Sequence, residues 1–217
     1  MSDFESRYHH SKHKAGYEGV YQKVVKRIID IALCVLALPV FIVIFIPVSL
    51  IIKIEDGGPV FYKSKRLGFG FVEFEMIKFR SMKVNAPDLR NADGSTYNSK
   101  TDSRVTRVGK FLRETSLDEV PQIINVLIGD MSIIGPRPGD VESRDTYQED
   151  EKEKYLVRPG ITGYTQAYYR NGLGVREKRL CDAWYSHEVS FVLDIKVFIA
   201  SIRTVLSRSN VYTNLEE

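Results

Sequence analysis

Residues 115–138 read TSLDEVPQIINVLIGDMSIIGPRP, and this stretch decides how the middle of the chain folds. Pro121 lacks a backbone N–H and clashes with the preceding turn, so it is comfortable only near the start of a helix. Ser116, three residues before Glu119, reads as a capping box. The helix then carries Ile123, Ile124, Val126, Leu127 and Ile128 and stops at Gly129, a residue suited to a C-terminal cap. Adjacent acids Asp118 and Glu119 therefore stand where that helix begins, and Gly135-Pro136-Arg137-Pro138 follows as a stiff segment with one cation. Two acids there can simply complement the helix dipole, worth ~0.3–1 kcal/mol. Their surroundings suggest chemistry: Arg104, Arg107 and Arg113 precede them, Arg137 follows, and a membrane segment lies upstream.

That segment is IALCVLALPVFIVIFIPVSLII, residues 31–52, without one charged side chain. As a straight helix it would extend ~33 Å, enough to cross a bilayer core. Pro39 and Pro47 interrupt it, and each breaks or bends a helix. Lys23, Lys26 and Arg27 precede it and Lys53, Lys63, Lys65 and Arg66 follow, so both flanks carry the basic signature of a cytoplasmic face. A helix that enters, bends at a proline and returns satisfies both observations, and a plain spanning helix remains the alternative.

Around this core the chain divides into a basic tail (1–22), the membrane segment (23–55) and a cytosolic unit (56–217). The tail holds His9, His10 and His13 without an acidic or cysteine partner at ligand spacing, which fits a flexible membrane-near segment better than a metal site. Asp56-Gly57-Gly58-Pro59 is a turn; residues 60–66 and 71–82 read as a strand pair ending in Lys78-Phe79-Arg80. Two cations spaced by two share a strand face and could grip one anion, although edge lysines are also common. Residues 85–103 are a polar loop, 104–113 a basic amphipathic segment, and 140–154 an acidic, solvated helix. Residues 157–166, VRPGITGYTQ, are turn-rich and suited to bringing backbone N–H groups to a ligand. Phe191, Ile195, Phe198, Ile202 and Val205 recur at helical spacing, either as a core stripe or as an interfacial one.

A net charge of +3 is too small to argue for nucleic acid, and two cysteines fit a reducing compartment without disulfides. The sequence has no Walker loop, no dinucleotide fingerprint, no H-E-x-x-H and no G-x-S-x-G. A carboxylate pair, several cations and a membrane segment remain. Carboxylates hold Mg²⁺ together with substrate phosphates, or attack phosphorus directly, while arginine and lysine offset phosphate charge. The residues alone thus point to a membrane-attached enzyme or receptor for a phosphorylated ligand.

The motifs KRIIDIAL, GGPVFYKSKRLG, KFRSM, RVTRVGKFLRETSLDEVPQIINVLIGDMSIIGPRP, VRPGITGYTQ and FVLDIK, in this order, resemble the small monotopic bacterial phosphoglycosyl transferases. The resemblance implies an α+β fold: a re-entrant, helix-break-helix membrane segment, a small mixed α/β cytosolic catalytic domain and amphipathic interfacial helices. It implies transfer of a phospho-sugar from a UDP-sugar to polyprenol (undecaprenyl) phosphate on the cytoplasmic face of the bacterial inner membrane. UMP is released, and the product initiates exopolysaccharide or glycoconjugate synthesis. A UDP-N-acetylhexosamine is the favoured donor, with hexose-1-phosphate transfer or a binding module without turnover as alternatives. By the same resemblance Asp118 is nucleophile and Mg²⁺ ligand and Glu119 its partner. Lys78, Arg80, Arg113 and Arg137 serve the phosphate site, and Arg158, Thr162 and Gln166 belong to a further motif of the site.

Overall fold

The apolar segment folds as one long helix, α1 (Lys26–Asp56), with a left-handed cap at Gly57. The expected helix-break-helix is not seen, because the helix runs on past Pro39 and Pro47 although neither proline can donate a backbone hydrogen bond. This computed structural model describes residues 8, 9, 11, 14–89, 97, 99, 101–169 and 172–206. After α1 come β1 (Phe61–Leu67), β2 (Glu73–Phe79), α2 (Arg107–Glu114), α3 (Gln122–Ile128), β3 (Ser132–Ile134) and β4 (Gly139–Asp140). The chain continues through α4 (Glu149–Lys152), β5 (Gly160–Thr162), α5 (Tyr164–Tyr168), α6 (Val175–Glu188) and α7 (Phe191–Leu206). The strands form two small sheets, an antiparallel one ordered β2-β1-β4 and a parallel pair, β3-β5. The result is the mixed α/β unit that the sequence suggests, with an apolar helix along one side.

A stripe of α1 is fastened to that unit along its whole length. Near its start, Lys26 pairs with Asp194 of α7, and Arg27 donates to the carbonyls of Val126 (2.5 Å) and Leu127 (3.0 Å) at the end of α3. Asp30 accepts from Ser132 Oγ (2.8 Å) and Ile133 N–H (3.1 Å) of β3. Further along, Cys34 packs with Met76, Ile123, Val126 and Met131, and Phe45 stacks on Phe61 and Phe79. At the far end Glu55 accepts from Arg107 N–H (2.8 Å), and Asp56 pairs with Arg80. One domain therefore holds both ends of the helix.

The rest of α1 is apolar and bare: Leu36 is 74% exposed, Val43 71% and Ile54 83%. Each such side chain left in water forgoes roughly 1.5–3 kcal/mol of burial, so the face demands a non-aqueous neighbour. Helix α7 shows the same inversion. Asp194, Val197 and Ser201 face inward, while Phe191, Ile195, Phe198 and Ile202 are exposed. The recurring apolar residues of this helix are thus a surface stripe rather than a core stripe, and α1 and α7 meet through the buried Lys26–Asp194 pair.

Three local expectations are corrected. Ser116 does not cap the helix; it adopts a left-handed φ of 58°, and Leu117–Glu119 forms a separate 3-10 turn before Pro121 caps α3. Residues 140–154 are not a solvated helix but a 3-10 stretch followed by the one-turn α4. Glu151 in it is only 2% exposed, because Arg176 (3.1 Å) and Arg179 (3.0 Å) from α6 neutralise it. Within the segment read as a loose tail, Tyr8 is buried beside Leu180 and Ala183, and its hydroxyl donates to Glu153 (2.6 Å). His10 and His13 lie outside the described residues.

Candidate active site

The two acids are presented by a corner between α2 and α3. Thr106 caps α2 by accepting from Gly109 N–H (2.9 Å), and Gly109 lies so close to the 81–82 segment that a Cβ would stand 1.9 Å from Ser81 O. Only glycine permits that approach, which brings α2 against the end of β2. The chain then turns sharply at Ser116 and sets Asp118 and Glu119 in the 3-10 turn facing β2.

Lys78, near the end of β2, meets Glu119 with Nζ–Oε1 at 2.6 Å, the two side chains being 16% and 25% exposed. Burial alone would raise the Glu119 pKa, but the charges of Lys78 and Arg137 and the Lys78 hydrogen bond overcome it and hold Glu119 below the usual range. Asp118 goes the other way. Burial pushes it up to about 6; Lys78 and Arg113 oppose the rise, and the negative charge of Glu119 adds to it. Two neighbouring carboxyls thus hold different protonation tendencies, a pattern associated with sites of chemistry.

Two tight turns complete the cleft. Gly135 N–H donates to Thr162 O (2.9 Å) and Gly160 N–H to Pro136 O (2.9 Å), so the segments flanking β3 and β5 cross backbone to backbone. A Cβ on Gly160 would lie 2.1 Å from Gly135 N, which explains the glycine there. This crossing carries Arg137 and Gln166 to the same cleft as Lys78 and Glu119, with Met76, Gly160 and Ile161 as its floor. Gln166 Oε1 is buried and has no hydrogen-bond partner among the described residues. Asp118 and Arg113 do not themselves line this cleft; Asp118 lies next to it, within reach of the charges of Lys78 and Arg113, and Arg113 Nε donates to Ser81 Oγ (2.9 Å).

Other expected site residues point elsewhere. Strand β2 ends at Phe79, and Arg80 turns away from Lys78 to pair with Asp56 and donate to Pro59 O (2.6 Å). A guanidinium only 7% exposed needs such partners, so the two cations do not grip one anion. Arg158 donates to Gly129 O (2.9 Å) and lies over the Phe69 ring, and Thr162 shares a hydrogen bond with Ser201 (2.7 Å) on α7. In their place the cleft gains Gln122 and, at its rim, Arg66, which pairs with Asp140. Gln122 sits one residue past Pro121 in the carboxylate motif, a signal the sequence did offer.

Among the described residues no group of three or more histidine, cysteine or acidic side chains could hold a metal unaided. Mg²⁺ does not require one, since it binds through one or two carboxylates plus substrate phosphates. Asp118 suits that role: its carboxyl has charged neighbours but, among the described residues, no cation hydrogen-bonded to it, whereas Glu119 is already held by Lys78.

The sequence matches the model of the bacterial sugar transferases over residues 21–208. The chain belongs to the bacterial sugar transferase family. Its members initiate glycan assembly as phosphoglycosyl transferases, and the matched region includes α1, the whole cleft and α7. An uncharacterized sugar transferase of Bacillus subtilis is 34% identical over 183 residues, covering 84% of this chain and 88% of that protein. The UDP-N-acetylgalactosamine-undecaprenyl-phosphate N-acetylgalactosaminephosphotransferase of Aeromonas hydrophila is 36% identical over 192 residues, 84% of this chain and 44% of that one. The UDP-glucose:undecaprenyl-phosphate glucose-1-phosphate transferase of Caulobacter vibrioides is 34% identical over 197 residues, 86% and 72%. The chain thus spans less than half of some relatives and most of others.

Proposed function

We propose that this protein transfers a phospho-sugar from a UDP-sugar to polyprenol (undecaprenyl) phosphate, releasing UMP. The observation that carries the proposal is the split carboxylate pair: Glu119 neutralised by Lys78, and Asp118 half-buried beside it without a hydrogen-bonded cation among the described residues. Asp118 is the nucleophile. Its carboxylate attacks the sugar-bearing phosphorus, the bond to the UMP oxygen breaks, and the phospho-sugar stays on Asp118 as an acyl phosphate. The acceptor phosphate oxygen then attacks the same phosphorus, and the Asp118 carboxylate leaves. Sharing one site in turn suits a soluble donor and a lipid acceptor.

Lys78, Arg113 and Arg137 offset the diphosphate charge that would otherwise repel a carboxylate. Mg²⁺ held by Asp118 and the donor phosphates would supply further neutralisation of that charge. Glu119 keeps Lys78 in place and orients its neighbour. Arg158 and Thr162, which the family resemblance assigns to the site, act by fixing the segments that deliver Arg137 and Gln166, and Arg80, assigned there too, acts by tying the end of α1 to the end of β2. A UDP-N-acetylhexosamine is the proposed donor; one relative named above takes its phospho-sugar from UDP-N-acetylgalactosamine and another from UDP-glucose, so both classes belong in the test.

The protein works at the cytoplasmic face of the bacterial inner membrane, with α1 as a re-entrant segment. Docking of both ends of α1 on one domain, and the bare apolar faces of α1 and α7, support this seating. The assay is a screen of UDP-sugars against a short polyprenol phosphate. Release of UMP that depends on both substrates is the expected result. Release of UDP would mean transfer of the sugar alone, and binding without either product would mean a receptor.

A further inference from the structure

We propose that the groove between α5 and α7 binds one anionic phospholipid of the surrounding leaflet, its headgroup phosphate on Lys196 and Arg203 and an acyl chain along Ala167, Ile199 and Ala200. The inference rests on the membrane seating proposed above and adds a ligand to it. The groove measures about 370 Å³ and shares no lining residue with the catalytic cleft. Helix α5 separates them: Gln166 lines the cleft, while the next two residues, Ala167 and Tyr168, line the groove.

Its two walls are tied together. Thr204 Oγ1 donates to Ala167 O (2.9 Å), and the Tyr168 hydroxyl donates to Lys196 O (3.4 Å). On α7, Lys196, Ile199 and Arg203 follow one another at helical spacing beside the exposed Ile195, Phe198 and Ile202. The two cations stand ~10 Å apart along the helix axis. Neither has a carboxylate partner among the described residues, although nearby Asp194 is spent inward on Lys26, Tyr21 and Tyr185.

An apolar channel flanked by two uncompensated cations, at the edge of a helix face that demands lipid, matches a phosphodiester carrying an acyl chain. A nucleotide would meet largely apolar walls there. The polyprenol acceptor must bring its phosphate to Asp118, across α5, so these cations do not serve it.

The test is native mass spectrometry of the full chain in a neutral detergent, titrated with phosphatidylglycerol and separately with phosphatidylcholine. One phosphatidylglycerol should bind about 30-fold more tightly than phosphatidylcholine, the preference the two cations supply. The double variant Lys196→Gln with Arg203→Gln should bind phosphatidylglycerol about 30-fold more weakly, the ~5-fold of one interfacial cation taken twice. Its phosphatidylcholine binding and melting temperature should stay unchanged. Exchanging the cations, Lys196→Arg with Arg203→Lys, should keep phosphatidylglycerol affinity within about three-fold, since the charge is retained. Equal binding of the two lipids by the native chain, or undiminished phosphatidylglycerol binding by the neutral variant, overturns the proposal. So does a raised KM for polyprenol phosphate in the neutral variant, which would assign the groove to the acceptor. Binding is read without turnover, so loss of this site leaves the transferase proposal intact, and absence of UMP release leaves the lipid site intact.

Discussion

Replacing Asp118 with asparagine should abolish turnover and yet stabilise the protein. Burial, assisted by the charge of Glu119, holds the Asp118 carboxyl at about 6 against an ordinary value of 3.8. The folded state therefore keeps this proton to higher pH than the unfolded state, and stability falls as pH rises between those values. The penalty is absent below pH 3.8 and complete above pH 6. At 1.36 kcal/mol per pH unit the gap amounts to about 3 kcal/mol. Asparagine fills the same volume without a charge and escapes that penalty. For a chain of this size ~1 kcal/mol moves the melting temperature by about 2–4 °C, so Asp118→Asn should gain about 6–12 °C at pH 8. The gain should shrink to roughly half at pH 5, where much of the native carboxyl is protonated in the fold. Thermal melts in detergent without divalent metal, at both pH values, measure this. Added Mg²⁺ should raise the native melting temperature and leave the variant unmoved. A variant no more stable than the native chain at pH 8, or a gain that does not shrink at pH 5, would refute the account of Asp118 as a strained carboxylate.

Other variants address other parts of the cleft and the membrane seat. Arg137→Ala should cost about 2–4 kcal/mol of transition-state stabilisation, read as kcat/KM, and Arg137→Lys should recover only part because the planar fork is lost. Asp194→Ala leaves Lys26 buried without its partner and should destabilise the fold by about 3–5 kcal/mol in chemical denaturation, while the more conservative Asp194→Asn loses less. Single cysteines at positions 15 and 60 should both resist an impermeant thiol reagent in intact spheroplasts and react once the inner membrane is opened; labelling of either in intact cells would mean a spanning helix. Leucine at both Pro39 and Pro47 should shift the segment towards spanning, because two unsatisfied helix positions are removed.

Local chemistry in the sequence carried most of the fold. The apolar run, the strand pair around Leu67–Gly68 and the stop at Gly129 each follow from a short-range rule, and each is present. Where short-range rules failed, a partner distant in sequence had won. Ser116 and Glu119 have capping-box spacing, but Lys78 takes the Glu119 carboxylate and Ser116 is needed for a left-handed turn. Lys78 and Arg80 share a strand face only while the strand lasts, and Asp56 claims Arg80 just beyond its end. Glu151 sits in an acidic run that looks solvated until Arg176 and Arg179 arrive from α6. The periodic apolar residues of α7 were legible as a stripe, whereas its outward direction depends on Asp194 and Ser201 finding partners inside. At the cleft, the motif stretch supplies Glu119 and Arg137 while Asp118 does not line it, and Arg66 reaches it through sheet pairing with β4.

The covalent role of Asp118 is the central claim, and intact-mass measurement tests it most directly. The full-length protein is mixed with Mg²⁺ and the donor that supports UMP release, without any lipid acceptor. The account predicts a mass gain equal to one phospho-sugar, mapped to Asp118, lost on adding polyprenol phosphate and absent in Asp118→Asn. No adduct, together with double-reciprocal plots that intersect instead of running parallel, would contradict it and leave Asp118 as a metal ligand in a direct transfer.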